Sequence, residues 1–161
     1  MPFLNFPFPY FVTNFAMGWQ LVAYMSNEYS TFRAERAAEI YHAFRRVLDS
    51  APPNTPIYTI ASAVSASPSS RYWVSPERAA KVISILLRDA DDHTTFDRAK
   101  VKPHKLKMFL SIMDACKGDY SMHNIAITVH SPAPQFFLPP HTIVQEYYRE
   151  LKRRKACRRK S

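Results

Sequence analysis

A chain of 161 residues with 47% hydrophobic and 22% charged residues has the size and balance of one globular domain, which excludes disorder along its whole length. Only two glycines, Gly18 and Gly118, stand against 13 prolines; Gly-rich phosphate loops are therefore excluded, tight hairpin turns are disfavoured, and helices are expected. The net charge of +9 is uneven, because Lys152, Arg153, Arg154, Lys155, Arg158, Arg159 and Lys160 supply seven positive charges with no acid among them, leaving the rest of the chain at only +2.

Residues 1–27 carry no charged side chain and are rich in aromatics, among them Phe3, Phe6, Phe8, Tyr10, Phe11, Phe15, Trp19 and Tyr24. Neither a basic leader nor a small-residue cleavage site marks a secretory signal. Pro7 and Pro9 break the apolar run, and Asn14 and Gln20 interrupt what is left, so no membrane span is expected. The segment is expected to pack on the domain or to stay unstructured, ahead of a membrane-surface role, since interfacial segments usually carry Lys or Arg on a polar face. Met25-Ser26-Asn27-Glu28 also reads as an alternative start of the protein, with ordinary polarity from there on.

From Thr31 a helical period sets in. Ala37, Ile40, Tyr41, Phe44, Val47 and Leu48 fall at i, i+3, i+4, i+7, i+10 and i+11, with Arg36, Glu39, Arg45 and Arg46 off that stripe. Ser30 or Thr31 is expected to cap the helix, and Pro52, Pro53 and Pro56 to end it. A shorter helix, residues 57–65, places Ile57, Ile60, Ala61 and Val64 on one side. Residues 66–74 are too rich in serine and β-formers for helix. Ser75-Pro76 is a strong helix start, and the helix runs to about Arg88 with Ala79, Val82, Ile83 and Leu86 inward.

Residues 89–104 read as a charged linker, acidic first (Asp89, Asp91, Asp92, Asp97) and basic later (Lys100, Lys102, and Lys105 just beyond), with Pro103 punctuating its end. A helix from about Lys105 to Lys117 turns Leu106, Phe109, Ile112, Met113 and Cys116 inward, and Gly118 fits the C′ position behind it. A short helix over 122–130, an extended piece over 131–138 and a long Pro-started helix complete the chain. The last helix keeps Ile143, Val144, Tyr147 and Leu151 on its apolar side.

An internal repeat organises these elements. Ile40-Tyr41 matches Met108-Phe109, Ile60-Ala61 matches Ile125-Ala126, Val64 matches Val129, and Ser67-Pro68 matches Ser131-Pro132. Arg71-Tyr72-Trp73-Val74-Ser75-Pro76 matches Gln135-Phe136-Phe137-Leu138-Pro139-Pro140. A unit of about 50 residues buries too little surface to stand safely alone. The expected fold is therefore all-α: two tandem three-element helical repeats sharing one core, helix-turn-helix-like units with extended aromatic connections. Copy 1 covers about 31–88 and copy 2 about 105–151 within a domain over 28–151, and a basic tail follows over 152–161. Tyr72, Trp73, Phe136 and Phe137 are expected in the core, ahead of a role as a platform for stacked bases. The pattern Pro-x-x-Arg-aromatic-aromatic-Val-Ser-Pro, Pro68 to Pro76, resembles one in small, basic bacterial and mobile-element proteins; the resemblance covers roughly residues 33–155 and implies no particular activity.

The basic tail attracts polyanions, so the expected function is non-enzymatic binding of nucleic acid, DNA first, with an acidic protein as the other partner and a protein-interaction module as the other function class. Arg78, Lys81 and Arg88, with Ser84, line one outward face of the Pro-started helix of copy 1, whose N-terminus at Ser75 suits a phosphate, and Arg71 in the segment before it joins the expected binding set. Arg149, Lys152, Arg153, Arg154, Lys155, Arg158, Arg159 and Lys160 extend the last helix and complement its dipole. The corresponding positions of the two Pro-started helices differ: Thr142, Gln145, Tyr148 and Lys152 stand in copy 2. A nine-residue connection is also longer than a helix-turn-helix uses. Cys116, His123 and His130 recur every seven residues but straddle Gly118, and the Asp89–His93 cluster lacks the glycine and distal glutamate of a calcium loop. No metal, cofactor or catalytic set is expected. Two unpaired cysteines suit a reducing compartment, the cytoplasm.

Overall fold

Helix boundaries in this chain fall where proline, serine and glycine allow them. In the structure, a computed structural model, the backbone is described for residues 13–91 and 101–159 and the side chains for 31–88 and 101–159. The elements are α1 (Thr13–Ser50), α2 (Ile57–Ser65), α3 (Pro76–Asp91), α4 (Pro103–Cys116), α5 (Met122–His130) and α6 (Pro140–Arg158). The fold is all-α: among the described residues the only β feature is one isolated antiparallel bridge, Ser69 to Ala133. Among the described residues, those up to Arg36 and those from Ala37 on fall into two compact units, and every buried side chain belongs to the second.

Pro76, Pro103 and Pro140 each open a helix, where the missing N–H costs nothing and the fixed φ is already helical. Pro103 thus starts α4 two residues earlier than Lys105. The Ser75 hydroxyl accepts from the Arg78 N–H at 3.3 Å and the Ser121 hydroxyl from the Asn124 N–H at 3.3 Å, each satisfying one of the four open amides at its helix start. Lys117 follows α4 in the left-handed region at φ 51, with Gly118 next at φ 88. The Asn124 amide closes that end by donating to the carbonyls of Cys116 and Asp119 at 3.2 and 2.8 Å.

Two further boundaries differ from expectation. Helix α1 begins at Thr13, not at Ser30 or Thr31; its uncharged stretch from 13 to 27 contains no proline, so nothing stops the helix. Residues 1–12 lie outside the described part. Helix α3 continues past Arg88 to Asp91, since Asp89 and Ala90 carry no breaker, and this shortens the expected linker. The rest of that linker, residues 92–100, also lies outside the described part.

The buried residues sort into two clusters, and each draws on both halves of the chain. The first joins α3 (Ala79, Ile83) to α4 (Met108, Phe109, Ile112, Cys116) and α5 (Ile125, Val129). The second joins the end of α1 (Ile40, Ala43, Phe44) and α2 (Ile60, Ala61, Val64) to α6 (Ile143, Tyr147). Each Pro-started helix therefore covers the first two helices of the other half. Burying one such Ile, Val or Leu side chain contributes about 1.5–3 kcal/mol, which makes this exchange the main source of cohesion. A helix-turn-helix reading sets α2 against α3; here α2 packs on α6, and α3 packs on α4 and α5.

Between the clusters run the two extended aromatic segments, and their side chains alternate as the period of two requires. Tyr72 and Val74 enter the first cluster and Trp73 the second; Phe136 and Leu138 enter the second and Phe137 the first. The backbone bonds that hold the segments together recur in reciprocal pairs. Ser69 and Ala133 exchange N–H···O bonds of 3.1 and 3.0 Å, while Tyr72 N–H donates to Val129 at 3.0 Å and Phe136 N–H to Ser65 at 3.2 Å. The Ser65 hydroxyl also donates to the Leu138 carbonyl. Tyr72 stacks on Phe137 at 6.0 Å, and its hydroxyl shares a 3.0 Å hydrogen bond with Ser111 on α4. These rings hold the interior and are not presented to solvent as a stacking platform; Trp73, the least buried of the four, is still packed on the second cluster.

Burial does not single out one offset for the expected repeat: Ile40 with Met108 and Phe44 with Ile112 are buried pairs at an offset of 68, and Ile40 with Phe109 and Ala43 with Ile112 are buried pairs at an offset of 69.

Candidate nucleic-acid interface

Helix α6 and the residue that caps it carry seven basic side chains from Arg149 to Arg159 and two acids, Glu146 and Glu150. Its inward face is Ile143, Glu146, Tyr147 and Glu150, a helical stripe in which two positions are carboxylates. Buried charge is costly unless it is paired and hydrogen-bonded, and both glutamates are. Arg149 donates to Glu146 at 2.8 Å, Arg153 to both oxygens of Glu150 at 2.7 and 2.6 Å, and Arg154 to Glu150 at 2.8 Å. The Glu150 side chain is 2% exposed while that of Arg153 is 58% exposed, so the acid is sealed beneath its arginines. Hydrogen bonding from Arg153 holds the Glu150 carboxyl below its ordinary pKa, against the upward push of burial, with Arg154 adding to the depression. The reciprocal bond raises the pKa of Arg153.

Arg154 ties α6 to α1. Its guanidinium lies 4.3 Å from the centroid of the Tyr41 ring, and it donates to His42 Nε2 at 3.1 Å. Tyr147 stacks on Phe44 at 4.1 Å and on Tyr41 at 5.5 Å just beneath. A cation over a ring is worth about 0.5–1 kcal/mol or more when partly desolvated. Of the basic residues expected to bind, Arg149, Arg153 and Arg154 therefore also serve the fold. Lys152, Lys155, Arg158 and Arg159 are exposed. Lys160 lies outside the described residues.

On α3 the structure leaves Arg78, Lys81, Ser84 and Arg88 exposed, along the side away from Ala79 and Ile83. Arg71 is half-buried in the preceding segment, its guanidinium 5.5 Å from the Trp73 ring, and stands apart from that row. The Ser75 hydroxyl is engaged as a cap. Because α3 and α6 pack on different clusters, the two basic groups are carried by separate parts of the core. A further basic group surrounds His104 on α4: burial first, then Lys105, Lys102 and His141, lower its pKa.

Glu146 and Glu150, which organise the end of α6, were not among the residues expected to matter. Their signal was present as Glu-to-Arg spacings of three and four, which place the two side chains together on a helix. Cys116, His123 and His130 do not converge, and the side chains of the Asp89–His93 cluster lie outside the described residues. Cys116 is buried beside the Thr128 hydroxyl at 3.5 Å, the His130 ring bonds to the Ala126 carbonyl at 2.7 Å, and among the described residues no group of His, Cys, Asp and Glu gathers as a metal site. No helix among the described residues is long and apolar enough to cross a membrane. No protein family, curated protein or solved structure matches this chain.

Proposed function

We propose that this chain is a non-enzymatic, cytoplasmic DNA-binding protein that holds phosphates with the solvent-facing end of α6 and uses the outer face of α3 as a second cationic surface. One observation supports this reading above the others. Both acids of α6 are buried beneath arginines, so the exposed end of the helix offers only positive charge to solvent. A rigid row of cations binds a polyanion at less entropic cost than a flexible tail does, and Arg154 and Glu150 supply that rigidity by fastening the helix end to α1.

Replacing Lys152, Lys155, Arg158 and Arg159 together by alanine tests the reading better than cutting the tail, because truncation would also strip the arginines from Glu150. Each lost phosphate contact lowers the salt dependence by about 0.9 in the slope of log K against log salt. Duplex DNA mobility shifts over a salt series should therefore show a slope smaller by about 3.6, if all four side chains meet phosphates, and weak binding throughout. Unchanged affinity and slope would remove the electrostatic basis of the proposal. Arg78→Ala with Lys81→Ala should cost a smaller, separate part of the affinity; no change there removes α3 from the interface and leaves α6 in place.

A further inference from the structure

We infer that α6 is a major-groove reading helix, with Gln145 and Tyr148 against the base edges of duplex DNA. This rests on the proposal that the chain binds DNA and adds which helix reads the sequence. His141, Gln145, Tyr148, Lys152, Lys155 and Arg159 are all exposed and recur at steps of four, three, four, three and four residues. At 3.6 residues per turn they stay within about 40° of one line, opposite the buried Ile143, Tyr147 and Glu150, and span about 27 Å. Acids are absent from that line.

Arginines flank the line on both sides: Arg149 and Arg153, held by Glu146 and Glu150, and Arg158 on the other. That is the distribution a groove demands. The centre of an inserted helix meets base edges and its flanks meet the two phosphate walls, and the major groove, about 12 Å wide, accepts a helix of about 10–12 Å. In helix-turn-helix proteins the early part of the inserted helix reads bases and later residues contact the backbone. On α6 the early part holds the neutral Gln145 and Tyr148 and the late part holds the lysines and arginines. A glutamine amide both donates and accepts, matching N7 and N6 of adenine, and an aromatic ring packs on the thymine methyl. Tyr148 is 51% exposed although its ring is large and apolar. The outer face of α3 lacks this division, carrying cations at its start and its end alike.

Selection from a randomised duplex library with the full-length protein tests the inference. The wild type should enrich a site with adenine at one fixed step. Gln145→Ala should lower preference for that site over a scrambled duplex about tenfold while leaving affinity for the scrambled duplex unchanged. Gln145→Arg should move the preference at that step towards guanine. Both changes are at an exposed position, and a thermal melt matching the wild type shows that the fold is intact. Duplex binding without sequence preference, or an enriched site that Gln145→Ala leaves intact, overturns the inference and spares DNA binding itself. Stronger binding to double-stranded RNA, whose deep, narrow major groove bars side chains, also overturns it. Absence of binding to any duplex at low salt removes both proposals.

Discussion

Val82 and Leu86 on α3 pack half-buried against the first cluster, whereas Glu146 and Glu150 on α6 are buried, so one helix turns apolar side chains inward where the other turns acids. Stability depends on that difference in two ways. Removing both arginines, Arg153→Ala with Arg154→Ala, leaves Glu150 buried and unpaired and should cost about 3 kcal/mol in denaturant unfolding. Glu150→Leu, which gives α6 the residue that α3 already uses, should be neutral or stabilising, because a packed hydrocarbon replaces a desolvated pair. A large loss from Glu150→Leu would mean that the ion pair itself is the favourable term. The pH dependence has a definite sign. Since Arg153 and Arg154 hold the Glu150 pKa below its ordinary value, the unfolded chain takes up the proton first as pH falls. Stability from this carboxylate is thus full above the unfolded value, about 4.3, and is lost as pH drops through the lower folded value. Urea titrations from neutral pH into the acid range should show a shallower acid limb in Glu150→Gln than in the wild type.

Helix ends are governed by a few conformational choices, and the end of α4 is the clearest. Gly118 has φ 88 with no atom near where a Cβ would sit, so Gly118→Ala should cost about 1 kcal/mol from backbone strain alone. Lys117 occupies the left-handed region at φ 51, and Lys117→Gly should therefore stabilise by a few tenths to about 1 kcal/mol. Opposite shifts in the melting temperature would confirm that both residues sit as described; equal effects would contradict it. This end was legible in the sequence, as were the proline starts of α3 and α6 and the nine-residue lengths of α2 and α5, because period, capping and turn chemistry act over a few neighbours. The start of α1 was not legible, since its uncharged run holds no breaker to read. Nor could sequence say that α6, and not α3, covers α2. A helical stripe reports that a face is buried and is silent about what buries it. The candidate interface divides in the same way: the count of cations was plain, whereas the sealing of Glu150 beneath Arg153 and Arg154 needed the three-dimensional arrangement.

Reciprocal covering couples the whole molecule between Ala37 and Arg159. Each cluster contains helices from both halves, and the chain passes between them through segments bonded to each other at Ser69 and Ala133. Neither half then has a core of its own to keep if the other unfolds. Helices of nine residues, such as α2 and α5, are too short to persist in water without tertiary support, so loss of one cluster removes the support of helices that feed the other. Ile60→Ala in the second cluster and Ile125→Ala in the first should each cost about 2–4 kcal/mol. More tellingly, each should lower the stability of both clusters by the same amount. Native-state hydrogen exchange measures this directly, because amides that open only in global unfolding report the global free energy. Protected amides of α2 and α6 should fall together with those of α3, α4 and α5 in either mutant. If Ile60→Ala weakens only the cluster built on α2 and α6 while the other keeps wild-type protection, the halves are independent folding units, and the crossed aromatic segments merely lie beside each other instead of coupling the two cores.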